Sequence, residues 1–389
     1  MIRVAFICDG FEIGGQELGC LALMQRLDRT QFVPYLYTFR PGSLLKDAAA
    51  LGIPIMIGHD KPVSDRSWNV ADETARKEYR ERLEAALRAD RIDACLVYAW
   101  PDAIAAARHA NVRAIIERVD GISLATRLPD KSACDRVICE ANTIRDMILA
   151  QRRLLKCDAR QIIVIRNGID LARFDPGRYD RDQCRAALGF GPQDFVVGAI
   201  SRLAPEKNLE LLLRAIAFLA CNYSESGVRQ VRAMIAGPDG GSRMRLETEA
   251  ARLGIADRVK FLQATSEVPE LLRALDVFAL TSFYEGAPFA LLEAMAMGLP
   301  IVATQVGAIS EMIDGNGFLV SVLHPEDAAS AFYQLQSNIP LRRDLAARSR
   351  DLGKRYDVNR MVREYEAVLH SALGENPAEA RAEAPEQKP

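Results

Sequence analysis

The sequence predicts an α/β protein made of two doubly wound domains. About ten short apolar runs alternate with longer stretches of helical periodicity along the 389 residues, and continuous apolar strands between helices are typical of parallel sheets covered on both faces. So many strands exceed one modest sheet, and the length is enough for about two domains. The runs cover residues 4–7, 95–98, 114–116, 137–139, 162–165, 196–200, 233–236, 259–262, 277–280 and 301–303.

The composition argues against a nucleic-acid binder and against a metal-binding protein. The chain is 49% hydrophobic and 26% charged with a formal net charge of −2, so it lacks the basic excess that is usual for a nucleic-acid binder. Eight cysteines are scattered without a C-x-x-C pair, and there are only four histidines. We therefore expect buried free thiols in a reducing compartment, no metal site and no resident cofactor.

The distribution of apolar residues favours a cytoplasmic protein. The N-terminal run, residues 1–7, is too short to span a membrane and lacks a signal-peptide cleavage region. We expect it to form the first buried strand. No later stretch reaches about 18 uninterrupted apolar residues. Peripheral contact with the inner face of the membrane is left open.

The periodicity breaks at residues 174–180, which read Phe-Asp-Pro-Gly-Arg-Tyr-Asp. We place a domain boundary there, with residues 1–175 in an N-terminal domain and 176–354 in a C-terminal domain. The amphipathic stretch 355–373 is predicted to be a helix that crosses back to the first domain, with a cap on the second domain as the alternative. The tail, residues 374–389, has no apolar periodicity and is predicted to be disordered.

Glycine-containing turns follow two of the predicted strands. Gly14 and Gly15 stand between the first strand and a helical stretch, and Gly237 follows the run at 233–236. Glycine at such a turn lets the backbone approach a ligand closely and opens its amides to phosphate. A tight turn without a ligand is the alternative for each.

Two cations, Arg202 and Lys207, stand five residues apart just after the run at 196–200. Ligands of open α/β sheets bind at the carboxyl ends of the strands. An arginine fork and a lysine point charge at that end can converge on a diphosphate. The alternative is a pair of solvated surface cations.

Two carboxylates, Glu285 and Glu293, lie eight positions apart on either side of a predicted helix start. Helix N-termini present unpaired N–H groups that favour anions, while the carboxylates can accept hydrogen bonds from hydroxyls. The neighbours of Glu293 are nearly all apolar, so its side chain should face a cleft or a partner, because burying it unpaired is costly. This combination suits a nucleotide-activated sugar, with a solvated helix face as the alternative for Glu293.

Taken together, these segments resemble the retaining glycosyltransferases of family 4 over residues 14–369. The resemblance implies the GT-B fold, in which two Rossmann-like domains face each other across a cleft. It is carried by four motifs in the order usual for that family: Ile165-Arg166-Asn167-Gly168-Ile169-Asp170 with Phe174; Ser201-Arg202-Leu203 with Lys207; the pair Glu285 and Glu293; and residues 300–304 with Gly307.

The resemblance also implies residue roles. Arg202 and Lys207 would hold the donor diphosphate and stabilise the leaving group, Glu293 would accept hydrogen bonds from the ribose hydroxyls, and Glu285 would contact the transferred sugar. The N-terminal domain would be the acceptor side. The remaining expected contacts are the amides of Phe289, Ala290 and Leu291, the glycines Gly14, Gly15 and Gly237 on the donor side, and Glu17 on the acceptor side.

One position departs from the family. Many relatives carry a histidine followed by glycine after a first-domain strand, near the donor sugar, whereas this chain has Asp120 followed by Gly121. Asp120 is therefore expected either to accept a hydrogen bond from a sugar hydroxyl or to be a structural residue that precedes a glycine turn.

The activity implied is metal-independent transfer, with retention, from a UDP- or GDP-sugar to a glycan, lipid-linked or small-molecule acceptor in polysaccharide or glycoconjugate biosynthesis. Two other functions remain open on the same fold: an epimerase-like enzyme that acts on nucleotide sugars, and a non-catalytic binder of them. An epimerase should release nucleotide without an acceptor.

The acceptor contacts are expected in first-domain loops near residues 58–71 and 123–132, the second with Arg127 and Lys131. A basic stretch, residues 145–166, is more typical of a solvated helix face, and contact with anionic lipid headgroups that carry the acceptor is the alternative. Its cations are Arg145, Arg152, Arg153, Lys156, Arg160 and Arg166.

Overall fold

The computed structural model describes residues 1–58, 73–98, 100–121, 131–222 and 230–375. The contacts between residues divide the chain into two compact units. The N-terminal unit contains residues 1–167 together with the segment that begins at Val358, and the C-terminal unit contains residues 168–357.

The N-terminal unit is built on a seven-stranded sheet with the order β3-β2-β1-β4-β5-β6-β7, and its neighbouring strands pair in parallel. The strands are β1 (Ile2–Gly10), β2 (Phe32–Arg40), β3 (Ile55–Ile57), β4 (Ala94–Tyr98), β5 (Ala114–Val119), β6 (Arg136–Cys139) and β7 (Ile162–Val164).

The described helices between these strands are α1 (Gly15–Arg26), α2 (Leu45–Ala50), α3 (Glu73–Ala89), α4 (Pro101–His109) and α5 (Asn142–Ala150), with a 3-10 turn at Ala159–Gln161.

The C-terminal unit repeats the arrangement in a six-stranded parallel sheet with the order β10-β9-β8-β11-β12-β13. Its strands are β8 (Phe195–Ile200), β9 (Val231–Ala236), β10 (Val259–Leu262), β11 (Val277–Leu280), β12 (Ile301–Thr304) and β13 (Gly317–Val320). Both sheets therefore have the doubly wound strand order of the Rossmann fold, and the predicted fold class is confirmed in each unit.

The helices that follow in the chain are α6 (Arg181–Ala187), α7 (Leu209–Asn222), α8 (Arg243–Arg252), α9 (Val268–Ala274), α10 (Phe289–Ala296), α11 (Ile309–Met312), α12 (Pro325–Ser337), α13 (Ile339–Gly353) and α14 (Val358–Leu373). Short 3-10 turns lie at Pro176–Arg178, Pro205–Lys207, Ala256–Arg258 and Lys354–Tyr356.

Every predicted apolar run lies in a strand, except that Ile165 falls just beyond β7. Three strands, β2, β3 and β13, were missed. β2 contains Pro34, which argues against a strand interior, and the edge strands β3 and β13 are mostly half-buried. Each edge strand carries a three-residue apolar run, at 55–57 and at 318–320, which the sequence-based prediction did not include.

The C-terminal helix, α14, packs on the N-terminal unit. Met361, Val362 and Tyr365 are buried in one core cluster with residues of β1, β2 and α1. The helix predicted at 355–373 is thus grouped with the N-terminal unit. Of the tail predicted to be disordered, residues 376–389 lie outside the described residues.

The division between the units falls before Gly168, whereas the sequence-based boundary was drawn after residue 175. Ile169 and Phe174 are buried in a core cluster of the C-terminal unit, and the amide of Ile169 donates to the carbonyl of Tyr356. The break in periodicity marks a surface turn inside the second unit, because the chain had already entered that unit's core.

Candidate functional site

The C-terminal sheet has its topological switch point between β8 and β11, where the strand order reverses. Ligands of doubly wound sheets bind beyond the carboxyl ends of the strands at such a point. β8 ends at Ile200 and β11 ends at Leu280. The two loops that follow carry Arg202 and Lys207 on one side and Glu285 on the other, so the fold places three of the predicted residues at this point.

Lys207 and Glu285 are in direct contact. Nζ of Lys207 donates to Oε1 of Glu285 at 2.7 Å, and the hydroxyl of Ser282 donates to the same oxygen at 2.6 Å. Glu285 is 8% exposed. This carboxylate is therefore charge-compensated and oriented within the unit, and Lys207 is not a freely solvated cation.

The loop after β11 is fixed at several points. The hydroxyl of Thr281 donates to the carbonyl of Lys207 at 2.9 Å, and the amide of Phe283 donates to the carbonyl of Glu206 at 2.9 Å. From β12, the hydroxyl of Thr304 donates to the carbonyl of Ser282 at 2.7 Å. These bonds join the loops after β8 and β11, so the position of Glu285 relative to Lys207 is built into the backbone.

Arg202 forms an ion pair with Glu206 one helical turn later in the chain. Its side chain is 32% exposed, so part of the guanidinium is accessible. The expected pair of cations is thus present at the end of β8, but each cation is bound to a carboxylate. Glu206 was missed by the sequence reasoning; an acidic residue beside a lysine in a turn gave no distinct signal.

Gly237 lies where the loop after β9 crosses the loop after β8. Its φ of +149° is in the region that favours glycine, and a Cβ atom there would overlap the carbonyl oxygen of Ser201. The amide of Leu203 donates to the carbonyl of Pro238 at 2.9 Å, and the carbonyl of Leu203 accepts from Gly240. The glycine is therefore required for the close approach of two loops, which is a backbone reason that holds without any ligand.

Glu293 lies on α10 in apolar surroundings. Burial raises the pKa of this carboxyl to about 7, and the positive charge of Arg173 opposes the shift. Its neighbours Leu292, Ala294 and Met295 are fully buried. The side chain of Glu293 is half-buried rather than fully solvated, and burial among apolar neighbours is the cause of the raised pKa.

The first turn of α10 begins after Pro288, without a side-chain cap. The amides of Phe289 and Ala290 lie where helix N–H groups have no intrahelical acceptor. The amide of Leu291 donates to the carbonyl of Pro288 at 3.1 Å. Leu291 is thus already bonded within the chain, and two of the three predicted amides remain as donors for an anion.

In the N-terminal unit, Gly14 and Gly15 lie at the start of α1, with Gly14 in extended conformation and Glu17 in the first turn. A Cβ atom on Gly14 would meet the carboxylate of Glu17, which is the end of a flexible side chain. The geometry therefore does not require glycine at this position, and the Glu17 carboxylate lies over the start of its own helix.

Asp120 follows β5 and is bound to Arg118, which is 2% exposed. Nε of Arg118 donates to Oδ1 of Asp120 at 2.6 Å, and Oδ2 of Asp120 is buried and accepts no hydrogen bond from the residues that the structure describes. The amide of Gly121 donates to Glu140 instead. Arg118 and Glu140 were missed, although charged residues in or beside buried strands are uncommon enough to be a signal.

The predicted acceptor loops are only partly described. Residues 59–72 and 122–130, including Arg127, lie outside the described residues. Lys131 is described and is fully buried, with Nζ donating to Oε2 of Glu117 at 2.8 Å. The expectation that Lys131 contacts an acceptor is therefore wrong, because its charge is used in a buried ion pair.

No group of three or more His, Cys, Asp or Glu side chains among the described residues is placed to hold a metal ion. No helix in the described ranges is both long enough and apolar enough to cross a membrane.

Comparison with known sequences gives a family match in the C-terminal unit. Residues 180–352 match the sequence model of the family described as glycosyl transferases group 1. The chain is 35% identical over 210 residues to a D-inositol 3-phosphate glycosyltransferase of Rhodococcus opacus, covering 52% of this chain and 46% of that protein. It is 36% identical over 177 residues to the lipopolysaccharide core biosynthesis mannosyltransferase LpsB of Rhizobium meliloti, covering 43% and 50%. The chain thus spans about half the length of these curated relatives.

Solved structures match nearly the whole chain in fold. The HepE protein of Anabaena, in complex with UDP and glucose, superimposes with a TM-score of 0.78 at 22% identity and covers 95% of this chain and 100% of its own. A glycosyltransferase from Rickettsia africae gives a TM-score of 0.79 at 15% identity over 96% and 100%. These likenesses confirm the predicted GT-B fold.

Proposed function

From the match of residues 180–352 to the family described as glycosyl transferases group 1, we propose that the protein is a retaining, metal-independent glycosyltransferase. It moves a sugar from a UDP- or GDP-sugar to a glycan, lipid-linked or small-molecule acceptor in polysaccharide or glycoconjugate biosynthesis. The observation that carries this proposal is the contact of Lys207 with Glu285 at the switch point of the C-terminal sheet. It brings a phosphate-binding cation and a hydroxyl-binding carboxylate together.

In this proposal the leaving group is stabilised by protein charge. Arg202 and Lys207 bind the diphosphate, and the amides of Phe289 and Ala290 add donors from the helix N-terminus. Preorganised donors and cations aimed at developing negative charge can supply a large part of a rate enhancement. Because the cations are already paired with Glu206 and Glu285, binding of the diphosphate has to share or replace those contacts.

The two carboxylates of the C-terminal unit have different environments, which supports different roles. Glu285 accepts hydrogen bonds from Lys207 and Ser282 and contacts hydroxyls of the transferred sugar. Glu293 has a raised pKa and apolar neighbours and accepts hydrogen bonds from the ribose hydroxyls. No side chain is assigned as a nucleophile, because retention in this proposal follows from attack on the face that the nucleotide leaves.

The N-terminal unit supplies the remaining residues of the proposal. Gly14 and Gly15 contribute backbone amides at the start of α1 to the phosphates, and Glu17 belongs to the acceptor side. Asp120 accepts a hydrogen bond from a sugar hydroxyl through its buried, unpartnered oxygen. If Asp120 served only to start a turn, this buried oxygen would have no hydrogen-bond donor.

A surface after α5 supports a peripheral contact with an anionic membrane. Leu154 is 74% exposed and lies between the exposed Arg153 and the buried Leu155. With the exposed Arg152 and Lys156 it forms a basic patch with an apolar tip, which suits anionic headgroups over a hydrocarbon layer. Arg145 and Arg160 contribute less, because each is paired with a neighbouring aspartate. We call residues 152–156 the basic tip.

A ligand screen followed by a turnover assay tests the proposed function. UDP, GDP, ADP and their common sugars are compared by thermal shift, since a ligand that binds only the folded state raises its stability. The bound donor is then incubated with glycan and glycolipid acceptors with and without EDTA. Release of nucleoside diphosphate that needs an acceptor and resists EDTA, with the product keeping the donor's anomeric configuration, is expected. Binding without turnover on any acceptor would indicate a non-catalytic binder.

A further inference from the structure

A single buried guanidinium connects four segments of the N-terminal unit. Nε of Arg118 donates to Asp120 at 2.6 Å, one terminal nitrogen donates to the hydroxyl of Tyr365 at 3.1 Å, and the other donates to Oδ1 of Asn167 at 2.5 Å. The Arg118 guanidinium also lies over the ring of Tyr98, 5.5 Å from its centroid. Each nitrogen thus has its own partner, which the fixed fork of arginine allows and a lysine does not.

Glu140, whose carboxylate lies 4.0 Å from the Arg118 guanidinium, links two of the neighbouring segments. Nδ2 of Asn167 donates to Oε2 of Glu140 at 2.9 Å, and Oε1 of Glu140 accepts from the amide of Gly121 at 3.1 Å. Asp120 and Gly121 are therefore held from both sides, by Arg118 through the side chain and by Glu140 through the backbone. The side chain of Asp120 can hardly rotate without breaking a charge-assisted hydrogen bond.

One carboxylate oxygen of Asp120 has no hydrogen-bond donor among the described residues. Oδ2 of Asp120 is buried and has no hydrogen-bond partner among the described residues, although the side chain remains 14% exposed. An unpartnered buried carboxylate oxygen is costly, so a network that fixes it in that state is best explained by a ligand that supplies the missing donor. Asp120 lies beyond the carboxyl end of β5, the edge at which open α/β sheets bind ligands.

We propose that Arg118 is a positioning residue that holds Asp120 with Oδ2 directed to a hydroxyl of the bound sugar. This inference rests on the proposed function, because it needs a sugar ligand. Arg118 acts only through Asp120 and does not itself touch the substrate, since each of its nitrogens is already bonded within the unit.

Arg118 also donates to one residue on each of the two segments that connect the units, Asn167 and Tyr365. Asn167 is the last residue of the N-terminal unit before the chain leaves it, and Tyr365 lies on α14, which begins where the chain returns. A variant of Arg118 is therefore expected to lower stability as well as sugar binding, and a test has to separate these two effects.

A double-mutant cycle separates them. Affinities for the nucleotide sugar and for the nucleoside diphosphate alone are measured by titration calorimetry for the parent chain, Arg118→Lys, Asp120→Ala and the double variant. Loss of one hydrogen bond to a charged group should weaken nucleotide-sugar binding about tenfold or more in each single variant, with the affinity for the diphosphate unchanged. The double variant should bind the sugar nucleotide no more weakly than Asp120→Ala alone, because the arginine then has nothing left to position.

Arg185→Lys is the matched control for burial. Arg185 is 3% exposed in the other unit and binds Asp276 at 2.5 Å, so this variant should lower the melting temperature without changing the contribution of the sugar to binding. If Arg118→Lys weakens nucleotide-sugar binding by the same factor with and without Asp120, the inference is overturned. A parent chain that binds no nucleotide sugar at all would instead overturn the proposed function, and this inference with it.

Discussion

The ammonium group of Lys207 lies 2.7 Å from the carboxylate of Glu285, across the loops that leave β8 and β11. The two side chains are 21% and 9% exposed, so the pair is neither deeply buried nor freely solvated. A lysine alone at this point would attract any anion, and the glutamate alone would repel a diphosphate. In the proposed function this pair, joined to Ser282, binds phosphate on one side and sugar hydroxyls on the other.

The first prediction concerns the two members of this pair. Lys207→Ala and Glu285→Ala should each lower kcat about a hundredfold or more, which is typical when one preorganised electrostatic contact to the transition state is removed. Nucleoside diphosphate release at saturating donor measures the change. Arg214→Ala removes an exposed pair with Glu249 in the same unit and should leave kcat unchanged. Turnover at the parent rate in either site variant, in folded protein, would remove that residue from the mechanism.

The second prediction concerns the pH dependence of stability. Burial raises the pKa of Glu293 from 4.5 to about 7, so the folded state binds more protons than the unfolded state between these values. The stabilisation from protonated Glu293 is therefore complete below pH 4.5 and is lost as the pH rises through 7. Glu293→Gln cannot ionise, so it should be more stable than the parent chain at pH 8 by roughly 1 to 3 kcal/mol.

Urea unfolding at pH 5 and pH 8 measures this difference in the free energy of unfolding. The gap between Glu293→Gln and the parent chain should widen from pH 5 to pH 8. A gap that is the same at both pH values would mean that the carboxyl titrates normally, and the role given to its apolar surroundings would be wrong.

The third prediction concerns Gly237. Gly237→Ala places a methyl group against the carbonyl of Ser201 at a positive φ, so it should lower the stability by roughly 1 kcal/mol or more and weaken nucleotide binding by displacing the loop that carries Arg202. Gly191→Ala is the control, because its Cβ would meet Asp194 at 3.5 Å, an ordinary contact. Equal melting temperatures for the two variants would mean that the crossing of the two loops tolerates a side chain.

The fourth prediction concerns the basic tip. Reversing Arg152 and Arg153 to glutamate should abolish co-sedimentation with vesicles that contain anionic lipid, and salt should weaken the binding of the parent chain because surface charges are screened. Leu154→Asp alone should also weaken vesicle binding at low salt, because it removes the exposed apolar side chain. Lys354→Glu with Arg355→Glu reverses two exposed charges in the other unit and should have no effect. If the parent chain does not co-sediment with anionic vesicles at low salt, the proposed membrane contact is wrong.

Much of the fold could be predicted because parallel strands buried on both faces leave continuous apolar runs. Nearly all residues of β8 and β11 are buried, and both strands appear in the sequence as continuous apolar runs. β2 was missed because Pro34 and polar residues near its end break the run. The division at Gly168 was missed because a chain can enter a new core without any change in composition.

The sequence is enough to choose candidate site residues, but it does not show which residues they contact. Arg202, Lys207, Gly237, Glu285 and Glu293 follow strand ends or a helix start, and such positions can be located in a sequence. The sequence could not reveal that each cation is paired with a carboxylate, since Lys207 and Glu285 meet across 78 positions of the chain. Lys131 was wrongly assigned to the acceptor side, because the sequence does not show that it pairs with Glu117 on β5.

The most direct test of the central claim is a crystal structure of the chain with a nucleoside diphosphate bound. The account predicts density for both phosphates beyond the carboxyl ends of β8 and β11, with oxygens within hydrogen-bond distance of Arg202 and Lys207. Density in any other part of the molecule, with the contact between Lys207 and Glu285 undisturbed and Arg202 still bound only to Glu206, would contradict it.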